Sequence, residues 1–229
     1  MKSFRLAVTL SVLGLLAVPA LAQDKPPVDP STLTPEAMNK LMEEAAKTVP
    51  QHKLLQSMVG EWTCECSHTM PDGNKEAFKG KSIVTSLLDG RFVQEQFSAS
   101  MMGQPFNGIG MTGFDKNSGK YTGTWVDNMS TSVMTTEGVY DEATKTMTST
   151  GTAPCPLGMM KMKMTQKYVS KNEMLFTMSM AMPGTEEYQE AMTIRYLRGD
   201  SKTTENKAIK PKMREMKRME ATESIEVKP

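Results

Sequence analysis

The chain has 229 residues, a formal net charge of +1 and an aromatic content of 6%. That length fits one domain with additional segments. The balanced charge and the few aromatic side chains argue against a nucleic-acid-binding surface, which needs a basic face or a platform on which bases stack. Methionine is abundant, with 23 residues, so any functional interpretation has to account for it.

The first residues of the chain have the pattern of a secretory signal peptide. Lys2 and Arg5 precede an apolar run over residues 6–18, and a small-x-small cleavage sequence ends at Ala22. The apolar run is shorter than the ~20 residues that a membrane-spanning helix needs, and no second apolar stretch follows it. We therefore predict a signal peptide over residues 1–22, cleavage after Ala22, and a periplasmic or secreted protein without a transmembrane segment.

Residues 23–49 are predicted to form a flexible lead and one helix. Thr34 can cap this helix and Pro35 suits its first position, because a proline there loses no helical hydrogen bond. Pro50 is expected to end the helix. A second, short helix is predicted over residues 52–58, which have apolar side chains at helical spacing.

From residue 60 to residue 198 the hydrophobic period changes to two, and turn signals recur at short intervals. Asp89-Gly90 is the strongest of these signals and predicts a tight hairpin with a positive φ at Gly90. Consecutive hairpins form a meander, and a long meander avoids exposed edges by closing into a barrel. The predicted strands are 61–68, 77–88, 91–101, 105–114, 119–127, 132–140, 145–152, 161–170, 174–182 and 186–198.

The predicted fold class is therefore all-β. It is an antiparallel up-and-down meander barrel of about ten strands over residues 50–198, closed at one end by the N-terminal helix. Residues 199–229 break the pattern, because they lack aromatic side chains and are dense in Lys, Arg, Glu and Thr. Such a composition buries too little apolar surface to order itself, so we predict a charged, disordered tail.

Alternation along three neighbouring strands predicts an inner wall rich in methionine. Lys161, Lys163 and Lys167 share one face of their strand, and that charged face must lie outside. The opposite face then points into the lumen. The side chains predicted to line the lumen and bind a ligand there are Met162, Met164, Phe176, Met178, Met180 and Met192, together with Glu95.

Glu95 shares a face with Val93 and Phe97, so it is a buried carboxyl group if that face is internal. A buried carboxyl group needs a partner. A structural ion pair with an arginine such as Arg91 is the favoured interpretation. The alternative is an acid or base with a raised pKa, which would make the protein an enzyme.

The cysteines and histidines form no recognisable catalytic or metal motif. The number of cysteines is odd, so an exported chain leaves at least one unpaired. Cys155 could pair with Cys64 or Cys66 if the fold brings their Cα atoms within ~7 Å; the alternative is three small buried side chains. No nucleophile elbow, phosphate-binding loop or dinucleotide fingerprint is present. We predict no catalytic residue and no metal site.

Short segments in a fixed order resemble the bacterial family called domain of unknown function 1579. These segments are Val59-Gly60-Glu61-Trp62, Leu88-Asp89-Gly90-Arg91-Phe92, Pro105-Phe106-Asn107-Gly108-Ile109-Gly110, Gly113-Phe114-Asp115, Thr124-Trp125-Val126-Asp127 and Met192-Thr193-Ile194-Arg195-Tyr196-Leu197-Arg198. The resemblance covers about residues 50–198 and implies a lipocalin-like, calycin-type barrel. In such barrels a Gly-x-Trp sequence closes one end beneath an N-terminal helix, which is the role expected of Gly60 and Trp62.

Gly90 and Trp125 are the other residues for which we expect a structural role. The related nitrobindin-type barrels bind haem through a histidine late in the barrel. This chain has no histidine after His68, so the resemblance does not support haem, and we predict no cofactor.

The function favoured by the sequence is the binding of a small apolar ligand in a methionine-lined lumen. The alternatives are an enzyme that uses a lumenal carboxylate, and a structural, envelope-associated module with a filled barrel. Cu(I) binding by the methionines is a minor alternative, because strand alternation already explains their spacing. A cavity of ~300 Å³ or more favours the first two possibilities over a filled barrel.

Overall fold

The computed structural model describes residues 29–70 and 72–199. The predicted signal peptide, the first residues of the predicted lead and the tail beyond Gly199 lie outside the described residues. The described residues form two compact units: one contains residues 29–47 with the turn Lys116–Gly119, and the other contains Thr48–Asp115 and residues 120–199. None of the described helices has the length and apolar character needed to cross a membrane.

The first unit contains a short 3-10 helix, Pro30–Thr32, and helix α1, Pro35–Ala46. The hydroxyl of Thr34 accepts a hydrogen bond from the backbone N–H of Ala37 at 3.2 Å, so α1 begins at the predicted cap. It ends at Ala46, earlier than predicted. Pro50 instead precedes helix α2, Gln51–Ser57, in the second unit.

Ten antiparallel strands form a closed barrel in the second unit. Each strand pairs with its neighbours in sequence, and the first pairs with the last, so no edge is free. The predicted ten-stranded up-and-down barrel is confirmed. The strands are β1 Gly60–Thr69, β2 Lys75–Leu87, β3 Phe92–Met101, β4 Gln104–Asp115, β5 Lys120–Asp127, β6 Met134–Asp141, β7 Thr146–Cys155, β8 Gly158–Ser170, β9 Glu173–Ala181 and β10 Gln189–Arg198.

The turn between β2 and β3 is longer than predicted. Leu87 pairs with Phe92, which leaves the loop 88–91 between the strands. Gly90 has the predicted positive φ of 84°, but the two residues before it also have positive φ, of 49° and 56°. The predicted tight Asp-Gly hairpin is therefore wrong. This loop meets α2, because the side-chain amide of Gln56 donates to the carbonyl of Gly90 at 3.1 Å.

Helix α2 closes one end of the barrel, which we call the closed end. Trp62 lies beneath the helix and is only 3% exposed. Its Nε1 donates to the carbonyl of Met58 at 2.8 Å. The hydroxyl of Tyr121 donates to the carbonyl of Gln51 at 3.1 Å, so β1 and β5 hold opposite ends of the same short helix.

Arg198, the last residue of β10, completes the closed end. Its guanidinium carbon lies 4.1 Å from the centre of the Trp62 ring. The same group donates to the carbonyls of Val59 at 2.7 Å and Ser57 at 2.8 Å. Gly60 has a φ of 137°, and a Cβ atom there would collide with this guanidinium group. Glycine is required at this position for both reasons.

Candidate functional site

The barrel encloses a cavity of about 1020 Å³. Its floor is formed by Leu55 and Met58 at the α2 end. Its mouth lies at the opposite end, which we call the open end, where the lining includes the turn residues 128–132 and residues 153–156 at the end of β7. Ligand pockets commonly have volumes of ~300–1,000 Å³, so this interior is large enough for a small molecule. A filled barrel does not fit this structure.

Methionines from three neighbouring strands form one side of the cavity. Strand register places Met164, Met178 and Met192 side by side across β8, β9 and β10. Met162 and Met180 form a second row, closer to the open end. We call the lining methionines of these strands the methionine wall: Met160, Met162, Met164, Met178, Met180 and Met192.

The lysines of β8 lie on the outer surface, as the alternation predicts. Lys161 forms an ion pair with Glu186, and the Lys163 ammonium lies 4.0 Å from the centre of the Tyr188 ring. Both partners belong to the connection between β9 and β10. Phe176 lines the cavity with the methionine wall.

Glu95 on β3 lies deep in the lumen and accepts hydrogen bonds from two hydroxyl groups, and no arginine of the described residues forms an ion pair with it. The Ser82 hydroxyl donates to Oε1 of Glu95 at 2.7 Å, and the Tyr196 hydroxyl donates to the same carboxyl group. The predicted ion pair with Arg91 is wrong, because Arg91 lies in the loop 88–91, with its Nη1 3.6 Å from Asp89.

Burial raises the pKa of the Glu95 carboxyl group, and the hydrogen bonds from Ser82 and Tyr196 oppose that rise only in part. Burial, followed by the charge of Glu95, raises the pKa of the Tyr196 hydroxyl well above its usual value. Glu95 lines the cavity, so its remaining accessible surface faces the lumen. The carboxyl group is therefore presented to a ligand in an apolar setting.

An aromatic cluster stands beside Glu95. The Trp125 ring lies across the backbone of β4, where a Cβ atom at Gly108 would collide with it and one at Gly110 would lie 3.1 Å from its Cε3. Gly110 pairs with Glu95 of β3 on one side and with Trp125 of β5 on the other, so the ring lies over the strand that separates the two residues. The ring centre of Phe97 is 6.5 Å from that of Trp125.

A family model described as "Protein of unknown function (DUF1579)" matches residues 47–198. The chain belongs to the DUF1579 family. The resemblance seen in the short segments is thereby confirmed over the whole barrel. A comparison with curated proteins found no match.

Two solved structures resemble this DUF1579 barrel. Rv2717c from M. tuberculosis has a TM-score of 0.52 and 11% sequence identity, and the match covers 67% of this chain and 100% of that one. The S-type phycobiliprotein lyase CPES from Guillardia theta has a TM-score of 0.49 and 10% identity, with 70% and 98% covered. At such low identity the likeness to Rv2717c shows a shared fold alone.

The three cysteines of the DUF1579 barrel are free, so the possible disulfide between Cys155 and Cys64 or Cys66 is not formed. Strands β8, β9 and β10 separate Cys155 on β7 from Cys64 and Cys66 on β1. Cys155 lies at the open end, next to the turn into β8. Burial raises the pKa of the Cys66 thiol to about 12 and that of the Cys64 thiol still further.

The floor of the cavity contains a sulfur-centred cluster that the sequence does not reveal. The Tyr168 hydroxyl donates to Sδ of Met58 at 3.0 Å, and the Gln166 amide donates to Sδ of Met174 at 3.2 Å. Burial raises the pKa of the Tyr168 hydroxyl strongly. Strand alternation indicates that Gln166 and Tyr168 point inward, but only the position of α2 brings Met58 to them.

The lumenal role of Trp125 also escapes sequence reasoning, which assigns it only a structural role. The pair Gly108 and Gly110 is the available signal, because both residues face one side of β4 and leave room for a large ring on β5. Asp127 accepts hydrogen bonds from Trp125 Nε1 at 3.0 Å and from the Met129 N–H at 2.9 Å, so it orients the ring and the turn.

The described part of this DUF1579 chain contains no obvious set of metal ligands. Among the described residues, no group of three or more His, Cys, Asp or Glu side chains is arranged to hold a metal ion. His52 is buried in α2, and its ring edge meets Phe114 at a centroid distance of 5.8 Å. His68 lies on β1, and its Nδ1 is buried without a hydrogen-bond partner in the described structure.

Proposed function

We propose that this barrel binds a small, predominantly apolar ligand in its lumen, and that it does so as an exported protein. The observation that carries the proposal is the cavity of about 1020 Å³, whose lining is dominated by methionine and aromatic side chains. Export is supported by the signal-peptide pattern of residues 1–22.

The methionine wall suits an elongated ligand of variable shape. Methionine has an unbranched, flexible side chain with a polarisable sulfur atom, so it adapts to an apolar surface at little cost. Two rows of thioethers along β8–β10 offer such a surface from the level of Met192 towards the open end.

The open end provides an apolar route into the cavity. Large apolar side chains are exposed at the turns and strand ends around the mouth: Met102, Met129, Val133, Leu157, Met159 and Met182. Exposed apolar clusters on a soluble surface commonly mark sites of ligand or partner contact. An apolar molecule would meet this rim before it reaches the lumen.

Displacement of a hydrophobic fluorescent probe by long-chain alcohols tests the proposal. The double variant Met178→Ala/Met180→Ala should weaken probe binding more than it weakens folding. Met111→Ala is the matched control, because Met111 is 43% exposed on the outer face of β4. If the wall were only packed core, the lumenal changes would instead destabilise by ~2–5 kcal/mol per site, with no probe bound to the native protein.

Cu(I) supplies a further arm of the same test. Thioethers favour this ion, and preferential binding to the folded protein would raise its melting temperature. We expect no such rise under reducing conditions. A clear rise that is lost in Met178→Ala/Met180→Ala would favour the metal over the apolar ligand.

A further inference from the structure

The charges around the cavity are all of one sign. Two carboxyl side chains, Glu95 and Asp127, belong to the lining, whereas no lysine, arginine or histidine among the described residues does. A ligand with an anionic end would find no counter-charge in this lumen, and burying an unpaired anion is costly.

The two carboxyl groups are not equivalent. Asp127 lies where β5 meets the open-end turn, and its two oxygens already accept hydrogen bonds from Trp125 and Met129. Glu95 lies deep in the barrel, paired with Gly110 of β4 and Val84 of β2. Its partners are neutral hydroxyl groups, so any negative charge on Glu95 has no cation beside it among the described residues.

Aromatic faces stand next to this carboxyl group. Gly108 and Gly110 allow the Trp125 ring to lie over β4 at the position that pairs with Glu95, and the Phe97 ring centre lies 6.5 Å from that of Trp125. A carboxylate flanked by aromatic faces attracts an alkylammonium group by charge and by cation–π interaction.

We propose that the lumen selects a cationic amphiphile, whose ammonium end lies between Glu95 and the Trp125 ring and whose alkyl chain runs along the methionine wall towards the open end. This inference rests on the proposed ligand-binding function and specifies the chemical class of the ligand. It predicts that, among ligands with alkyl chains of equal length, a cation binds most tightly, a neutral alcohol less tightly and an anion least tightly.

The inference carries a pH dependence with a defined sign. The titratable groups that face Glu95 are the Tyr196 hydroxyl from β10 and the Cys64 thiol from β1, while β2 and β4 present only Ser82, Val84, Gly110 and Thr112. The pKa values of Tyr196 and Cys64 are both raised, so both stay neutral near pH 7. Glu95 alone among these groups gains charge, and affinity for a permanent cation should rise with pH as it ionises.

The test compares three probes with the same chain, each below its micelle-forming concentration: dodecyltrimethylammonium, dodecanol and dodecanoate. Binding is measured by calorimetry on the wild-type protein and on two variants that remove one negative charge each. Glu95→Gln removes the lumenal charge. Glu137→Gln is the control, because Glu137 is an exposed side chain on β6 that pairs with Lys120 at 2.9 Å.

We expect Glu95→Gln to weaken binding of the cation about tenfold or more, while its affinity for dodecanol stays within about twofold of wild type. The affinity of Glu137→Gln for each probe should also stay within about twofold of wild type. Dodecanoate binding as tight as that of the cation, or a cation affinity unchanged in Glu95→Gln, overturns the inference but leaves ligand binding standing. Failure of all three probes overturns the proposed function as well.

If the Glu95→Gln variant does not fold, a second measurement on the wild-type protein tests the inference. Wild-type affinity for the cation, whose charge does not titrate, is then followed across pH. A rise with pH that dodecanol does not show supports the inference, and parallel behaviour of the two probes overturns it.

Discussion

The two ends of the barrel differ in how their side chains are used. At the closed end, Trp62, Arg198 and helix α2 are joined by short hydrogen bonds and a cation–π contact, and the Trp62 ring is buried. At the open end, apolar side chains are exposed around the mouth of a large cavity. The comparison indicates that one end of the barrel is held together by packed contacts, whereas the other end leaves the cavity accessible.

The largest expected effect is at the closed end. Trp62→Ala should lower the free energy of unfolding by ~3–5 kcal/mol, because it removes a large buried ring together with its hydrogen bond to Met58. Urea denaturation measures this change. A loss below ~1 kcal/mol would mean that stability does not depend on the closed end in this way.

Two glycine-to-alanine substitutions, one at each end of the barrel, compare the ends directly. Gly60→Ala places a Cβ atom against the Arg198 guanidinium and strains a φ of 137°, so we expect a loss of ~2–3 kcal/mol. Gly103→Ala at the open end strains a φ of 72° but meets no atom within 4 Å, and should cost only about 1 kcal/mol. Equal losses in thermal or urea unfolding would contradict a special role for the Arg198 contact.

Glu95 should make stability depend on pH in a predictable direction. Burial raises its pKa in the folded state above the ordinary value of 4.5, so the protonated form favours folding. Its contribution is complete below pH 4.5 and is lost as pH rises through the folded-state pKa. The stability of wild type relative to Glu95→Gln should therefore fall over that window, as measured by urea midpoints at a series of pH values. A stability difference between wild type and Glu95→Gln that is constant with pH would show that Glu95 is not desolvated.

The smallest expected effect concerns the chemical reactivity of the three cysteine thiols. Cys64 and Cys66 are buried with raised thiol pKa values, that of Cys66 to about 12, so they hold little reactive thiolate at neutral pH. Cys155 is partly exposed at the open end. Iodoacetamide should therefore modify Cys155 first, which peptide mass spectrometry can follow. Modification of all three at one rate would show that the barrel opens as a whole.

Sequence reasoning succeeded where a local period decides the answer. The ten strands and the inward direction of Met162 and Met164 follow from alternation against exposed lysines on the same strand. The capped start of α1 follows equally from Thr34 and Pro35.

The errors concern contacts between distant parts of the chain. The sequence shows that a buried Glu95 needs a partner but does not show which one, and closure of the barrel brings Tyr196 of β10, not Arg91, to the carboxyl group. Cys155 forms no disulfide with Cys64 or Cys66, because β1 and β7 are not neighbours around the barrel. The loop 88–91 is longer than its Asp-Gly pair suggests, and Gln56 of α2 holds it from outside the hairpin.

The contact between Arg198 and Val59 joins residues 139 positions apart. It has a consequence for the order of folding, because neither the β1–β10 pairing nor this contact can form before the last strand is available. Pairings between remote segments are slow to form. A chain that emerges from the ribosome with its N-terminus first therefore remains an open meander until residue 198 has been made.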